Sequence, residues 1–149
     1  MLFRSTIPAS LLRQIYDHTE ASYPHECCGL MIGTSPGPAK DKTVHAFRAC
    51  KNLNTERSRD RYDLDPLDML RVEREFEKSP WGIIGIYHSH PDHPSRPSQT
   101  DTDRAWPDYS YVIISVQQGT AASAQSWVLN EGDKTFYEEP MVTDRGDSQ

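Results

Sequence analysis

Residues 83–88, with the sequence IIGIYH, constrain the fold more than any other part of the chain. They are apolar at almost every position, so a strand formed here must be covered on both of its faces. Such a strand lies in the interior of a sheet, with strands on both sides and helices packed over it. We therefore expect a layered domain built around this central strand.

The rest of the chain predicts helices and further strands around it. A first helix is expected to start at a cap on Ser5 or Thr6 and to run to about Ala21. A second helix is expected after a cap on Asp65, and a short third one after Ser98. The other predicted strands cover residues 28–33, 44–49, 62–64, 109–116, 123–129 and 134–137. This order predicts an α+β fold, with a mixed β-sheet flanked by helices.

The chain has 149 residues, the usual size of one domain, which we place at residues 1–140. Residues 141–149 are expected to form a polar, disordered tail. A formal net charge of −6 argues against a nucleic-acid partner. The apolar runs are far shorter than the roughly 20 residues of a membrane span, and the first residues do not resemble a secretory signal. We therefore expect a cytoplasmic protein that binds neither nucleic acid nor membrane.

A metal site is predicted where the central strand ends, in the stretch HSHPDHPSRPSQTD. His88 and His90 are two residues apart, so on a strand their imidazoles project to the same side. Asp101 follows after a loop, and two imidazoles with one carboxylate suit a catalytic zinc that keeps a position open for water. Ser98 and Asp101 also fit a capping box at the start of a helix, and the two roles are compatible. Rival ligands in the same stretch are His93, Asp92 and Asp103.

This stretch resembles, without a gap, the signature of the JAMM or MPN+ metallopeptidase family, H-[ST]-H-P-x(6)-S-x-x-D. That family also has a glutamate far upstream, at the start of an early strand, and HECCGLMIG places Glu26 in a similar setting. The resemblance extends over nearly the whole chain. It implies a JAMM/MPN-like, cytidine-deaminase-like fold.

The resemblance also implies roles for five residues. His88, His90 and Asp101 are expected to bind Zn²⁺ together with one water. Glu26 is expected to deprotonate that water, and Ser98 to hydrogen-bond the oxyanion that develops on the substrate. The implied reaction is the hydrolysis of an amide or isopeptide bond.

Three functional interpretations remain open at this point. Compact members of the family act on small ubiquitin-like sulfur-carrier proteins, so the resemblance implies a peptidase that acts at the C-terminus of such a partner. The alternative is a non-catalytic interaction module that retains the metal. A third interpretation makes Cys27 or Cys28 a thiol nucleophile with His25 as its base, although adjacent cysteines beside a strand are more often buried structural residues. The arginine-rich residues 57–61 are expected to be a solvated loop or to contact an acidic partner.

Overall fold

An eight-stranded mixed sheet organises the computed structural model, which describes residues 4–35 and 41–144. The helices are α1 (Ala9–Ser22), α2 (Pro66–Phe76) and α3 (Gln99–Arg104). The strands are β1 (Ser5–Pro8), β2 (Cys28–Thr34), β3 (Lys42–Cys50), β4 (Gly82–Pro91), β5 (Ser110–Gln117), β6 (Thr120–Asn130), β7 (Thr135–Glu139) and β8 (Met141–Asp144). The predicted α+β class is confirmed. None of the helices within the described ranges combines the length and apolarity that a membrane span requires.

Strand β4 lies in the interior of the sheet, as its apolar sequence predicts. The strand order is β7-β6-β5-β4-β2-β3-β1-β8, and β4 pairs antiparallel with β2 and parallel with β5. Residues 84–91 of β4 are all buried. Main-chain pairing on both sides therefore fixes the direction in which every side chain near the end of β4 points.

Each face of the sheet carries its own apolar core. One core includes Ile15 of α1 together with Met31 and Tyr87, and the other includes Val72 of α2 together with Leu30 and Ile86. The two helices thus cover opposite faces of β2 and β4. Along β4, side chains alternate between the faces, so the histidines that follow Ile86 at every second position extend the α2 face.

The start of the chain differs from the prediction. Ser5 and Thr6 do not cap a helix; they belong to β1, which pairs parallel with β3 and β8. Helix α1 begins only after Pro8, and no side chain caps it. The reason is tertiary: the main chain here finds partners in two distant strands, and a local capping signal cannot report them.

Two other boundaries also differ. The strand predicted at residues 62–64 is wrong, since only Leu64 makes an isolated bridge, to Asn52. The loop is instead held by the Asn52 side chain, which bonds the main chain of Glu26, Arg61 and Asp63. Strand β8 lies inside the segment assigned to the tail, so the sheet continues beyond residue 140. Residues 145–149 of that segment lie outside the described residues.

The two edges of the sheet meet at one end. Strands β7 and β8 occupy opposite edges, yet only Pro140 separates them in the chain, so the sheet must curl back on itself there. The buried carboxylate of Glu139 lies at this closure. One of its oxygens accepts hydrogen bonds from the hydroxyls of Ser5, Ser110 and Ser126, at 2.7 to 2.9 Å. Buried Lys42 donates to Ser110 at 2.8 Å and completes the cluster.

We predict that Glu139→Ala destabilises the protein by about 2 to 4 kcal/mol, because three buried hydroxyls lose their acceptor and the buried Lys42 ammonium group loses a nearby negative charge. Urea unfolding measures the change. The neighbouring Glu138 is exposed and serves as the matched control, with Glu138→Ala expected to cost less than about 0.5 kcal/mol. Equal losses in the two variants would contradict the assignment of a closing role to Glu139.

Candidate metal centre

Three side chains converge at the end of β4. His88 and His90 project from the same face of β4, and Asp101 reaches them from the first turn of α3. The Nε2 atoms of the two histidines are 3.2 Å apart, and the Asp101 oxygens lie 3.3 Å from Nε2 of His88 and 3.1 Å from Nε2 of His90. All three side chains are buried or nearly so.

This cluster fits a zinc ion. Zinc bonds to nitrogen and oxygen are about 2.0 to 2.2 Å long, so neighbouring ligand atoms of a tetrahedral site are separated by about 3.3 to 3.6 Å. The separations in the cluster are 3.1 to 3.3 Å, at the lower end of that range or up to about 0.2 Å below it. Two neutral imidazoles and one carboxylate are also a donor set that zinc accepts with one position left open.

The capping box predicted at Ser98 is present and aims the third ligand. The Asp101 N–H donates to the Ser98 hydroxyl at 3.1 Å, and the Ser98 N–H donates to Oδ2 of Asp101 at 2.9 Å. The carboxylate is therefore oriented by the helix that carries it. The two roles suggested by the sequence, cap and ligand, are geometrically compatible in one residue pair.

The two histidines are held in different ways. Nδ1 of His90 lies 2.9 Å from the Pro94 carbonyl oxygen, which assigns the ring proton to Nδ1 and leaves Nε2 facing the cluster. Nδ1 of His88 is buried and has no hydrogen-bond partner among the described residues. Its ring instead lies against the ring of Tyr62, with centroids 4.4 Å apart and planes 25° apart. Nothing in the sequence singled out Tyr62, which was predicted to lie in a strand.

Burial and hydrogen bonding compete in the electrostatics of the cluster. Burial favours neutral Asp101, but hydrogen bonds with His88 and His90 outweigh it and hold the pKa of the carboxyl well below its usual range. Burial lowers the pKa of His88. It also opposes the charge on His90, but hydrogen bonds with Asp101 and Pro94 raise that pKa above its ordinary value. Binding of a cation at the cluster therefore competes with protonation of His90.

Glu26 lies two residues before the start of β2 and shares a cleft with Asp101 of the cluster. Its N–H donates to the Ser58 carbonyl and its carbonyl accepts from Asn52, so the 51–65 loop fixes its main chain. Only 7% of Glu26 is exposed, and burial raises the pKa of its carboxyl to about 8. It is not a member of the three-residue cluster, whose ligand atoms all lie within 4.8 Å of one another. The cleft has a cavity volume of about 10 Å³ and is lined by Glu26, Asp60, Arg61, Tyr62, Thr100, Asp101 and Arg104.

The rival ligands make other contacts. Asp92 accepts hydrogen bonds from Tyr23 and from the N–H of Gln118, and Asp103 accepts one from Gln99. His93 is exposed, and its carbonyl accepts a hydrogen bond from Ser115. None of the three belongs to the cluster of His88, His90 and Asp101.

The cysteines do not have the surroundings of a nucleophile. Cys27 and Cys28 are buried, and burial raises the pKa of the Cys27 thiol to about 11 and that of Cys28 further. Both therefore remain protonated at neutral pH. The imidazole of His25 is engaged with the Ser58 hydroxyl at 2.6 Å. The interpretation of a thiol nucleophile with His25 as its base has no support in this geometry.

Comparisons with known proteins agree with the sequence signature. A family model described as prokaryotic homologs of the JAB domain matches residues 8–130. The chain is 35% identical over 107 residues to a desampylase of Haloferax volcanii, covering 71% of this chain and 73% of that protein. It is 30% identical over 136 residues to the CysO-cysteine peptidase of Mycobacterium tuberculosis, covering 91% and 88% of the two chains. The solution structure of protein DSY2949 from Desulfitobacterium hafniense superposes with a TM-score of 0.81 at 27% identity, covering 95% and 94%.

The raised pKa of Glu26 predicts a pH-dependent stability of the metal-free protein. An unfolded glutamate ionises near pH 4.5 and the buried one near pH 8, so the stabilising effect of its neutral form is lost as the pH rises through this window. The glutamine side chain of Glu26→Gln does not ionise, so this variant does not lose stability over the same pH range. Urea unfolding with a chelator present should find the variant gaining roughly 2 to 4 kcal/mol on wild type between pH 4.5 and 9. A constant difference between the two proteins across this range would contradict the buried, neutral state.

Proposed function

Because the chain belongs to the prokaryotic JAB family, we propose that it is a zinc-dependent JAMM peptidase. Its substrate is an amide or isopeptide bond at the C-terminus of a small ubiquitin-like protein. The observation that carries this proposal is the convergence of His88, His90 and Asp101, together with the buried Glu26, which lines one cleft with Asp101. A metal-retaining interaction module has no use for a buried carboxylate next to the ligands, so the geometry favours the enzyme.

His88, His90 and Asp101 would hold the zinc ion and leave one position open. When bound, zinc lowers the pKa of a coordinated water to about 7 and polarises the scissile carbonyl as a Lewis acid. Asp101 already carries its negative charge in the metal-free protein, and the Nε2 atoms of both histidines face the site. The ligands therefore need little rearrangement to bind the ion.

Glu26 acts as the general base and then as the general acid. Its carboxylate accepts a proton from the attacking water, whose oxygen bonds to the scissile carbonyl carbon, and returns that proton to the leaving amine as the carbon–nitrogen bond breaks. A group whose pKa is close to the working pH serves both steps, and burial raises the pKa of Glu26 in that direction. A nearby cation favours the ionised form that the first step requires.

Ser98 is suited to stabilise the oxyanion. Its oxygen accepts the Asp101 N–H, while its own hydroxyl proton has no acceptor among the residues of the described ranges. That proton is free to donate to the negative charge that develops on the carbonyl oxygen of the substrate. The capping bond also holds the serine oxygen in place before the substrate arrives.

The cleft and the relatives together suggest the substrate. A cavity of about 10 Å³ in this cleft leaves little room for large side chains beside Asp101, which favours glycine residues before the scissile bond. Relatives in the family include a desampylase and a CysO-cysteine peptidase, as reported above. We infer that the substrate is a β-grasp sulfur-carrier-like protein whose tail ends in Gly-Gly. Arg61 lines the cleft, and its charge suits a peptide tail that carries a carboxylate group.

Glu26→Gln should retain one zinc per chain while kcat/KM falls by about two orders of magnitude or more, because the base is lost and the ligands are intact. His88→Ala should lose the metal and the activity together. Elemental analysis and a cleavage assay measure the two properties. Cys27→Ser is the control and should keep both, whereas loss of zinc in Glu26→Gln would move Glu26 into the metal shell.

Recognition of the carrier is tested with two substrates that share a C-terminal sequence with residues appended after Gly-Gly. One is a folded sulfur-carrier-like protein, and the other is an unstructured peptide. We expect kcat/KM for the folded protein to exceed that for the peptide by about tenfold or more, since its body adds contacts away from the metal. Equal cleavage would exclude recognition of the folded body. Cleavage of neither substrate by zinc-loaded protein would favour the interaction module.

A further inference from the structure

The metal centre holds its two histidines unequally. Ligand histidines usually donate their second ring N–H to a carbonyl or carboxylate, which fixes the direction of the ligating nitrogen. His90 does so through Pro94, with 2.9 Å between Nδ1 and the carbonyl oxygen. His88 has no such partner within residues 4–35 and 41–144, although its side chain is fully buried. No hydrogen bond at Nδ1 to a residue of these ranges therefore fixes the direction of the His88 ring.

The ring of Tyr62 is the group in position to do this. It lies nearly parallel to the imidazole of His88, with centroids 4.4 Å apart, and so limits rotation of that ring about its Cβ–Cγ bond. When Nε2 of His88 binds a cation, the imidazole becomes more positive. The electron-rich face of a tyrosine favours that change.

Tyr62 is itself tied to the third ligand. Arg104, the last residue of α3, donates to the Tyr62 carbonyl at 2.9 Å and pairs with Asp63 at 2.6 Å. The same short helix carries Asp101 in its first turn. The loop that places the aromatic ring and the helix that places the carboxylate are therefore joined by one arginine.

We propose that Tyr62 is a positioning residue for the metal site, whose stacked ring orients His88 in place of a hydrogen bond at Nδ1. This rests on the role of His88 as a ligand in the proposed function. In this role Tyr62 acts through His88 and not on the reacting atoms. The aromatic face carries the effect, so the hydroxyl is dispensable.

Zinc affinity tests this directly and does not depend on turnover. The metal-free full-length protein is titrated with zinc against a chromophoric chelator. Tyr62→Phe should stay within about threefold of wild type, and Tyr62→Leu should bind zinc about tenfold or more weakly, the loss expected when a supporting group of a ligand is removed. Trp81→Leu is the matched control. It removes a second stacked histidine–aromatic pair of the described residues, His45 with Trp81, whose ring centroids are 4.6 Å apart. This change should leave the zinc affinity unchanged.

Thermal unfolding of the metal-free variants separates positioning from general stability. A positioning role predicts that Tyr62→Leu weakens zinc binding even where its stability matches that of Trp81→Leu. If Tyr62→Leu does not fold, Tyr62→Met fills the space without a ring and is expected to show the same loss of affinity. Wild-type affinity in a folded Leu or Met variant would overturn the proposal, as would failure of both variants to fold.

The same titration separates this proposal from the proposed function. Wild-type protein that binds no zinc would contradict both. Wild-type protein that binds zinc but cleaves no substrate would contradict the proposed function alone, and the affinities of the Tyr62 variants would still decide whether the ring orients His88.

Discussion

The pairing of β4 with a strand on each side is the constraint on which the candidate site depends. A strand with two neighbours cannot rotate or slip without breaking hydrogen bonds along both edges, so the side chains at its end have fixed directions. His88 and His90 use this rigidity to present two nitrogens 3.2 Å apart. Asp101 has no such support from the sheet and depends on the capping box of α3. The pairing of β4 and the capping box of α3 thus together define one site.

The two carboxyl groups of the cleft, Glu26 and Asp101, have pKa values shifted in opposite directions because their neighbours differ. Both Glu26 and Asp101 are largely buried, which favours the neutral acid in each case. Asp101 faces two imidazoles and a main-chain N–H, which restore its charge. Glu26 has no hydrogen bond to its carboxylate among the described residues, so its pKa rises to about 8. This difference in pKa matches the proposed roles, in which Asp101 is a metal ligand and Glu26 carries a proton.

Much of this site could be predicted because its signals are local. An H-x-H pattern on a strand and an S-x-x-D pattern at a helix start each fix geometry within a few residues, and the apolar run before them identifies the central strand. Glu26 was recognised only through resemblance, since its burial depends on the distant 51–65 loop. Tyr62 and β1 were missed for the same reason. Their positions depend on Arg104 and on Lys42, far away in the chain, and no short pattern encodes such contacts.

The curled sheet has a consequence for the order of folding. Ser5 and Glu139 are joined at the closure although 134 residues separate them, and β1 pairs in register with β8. Contacts between such distant segments carry a large loop-closure entropy and form late. The central strands β2, β4 and β5 and the candidate metal ligands are all encoded between these two segments. During synthesis the half of the sheet that carries the candidate metal site can therefore assemble first, and β1 pairs with β8 only after Met141 has left the ribosome.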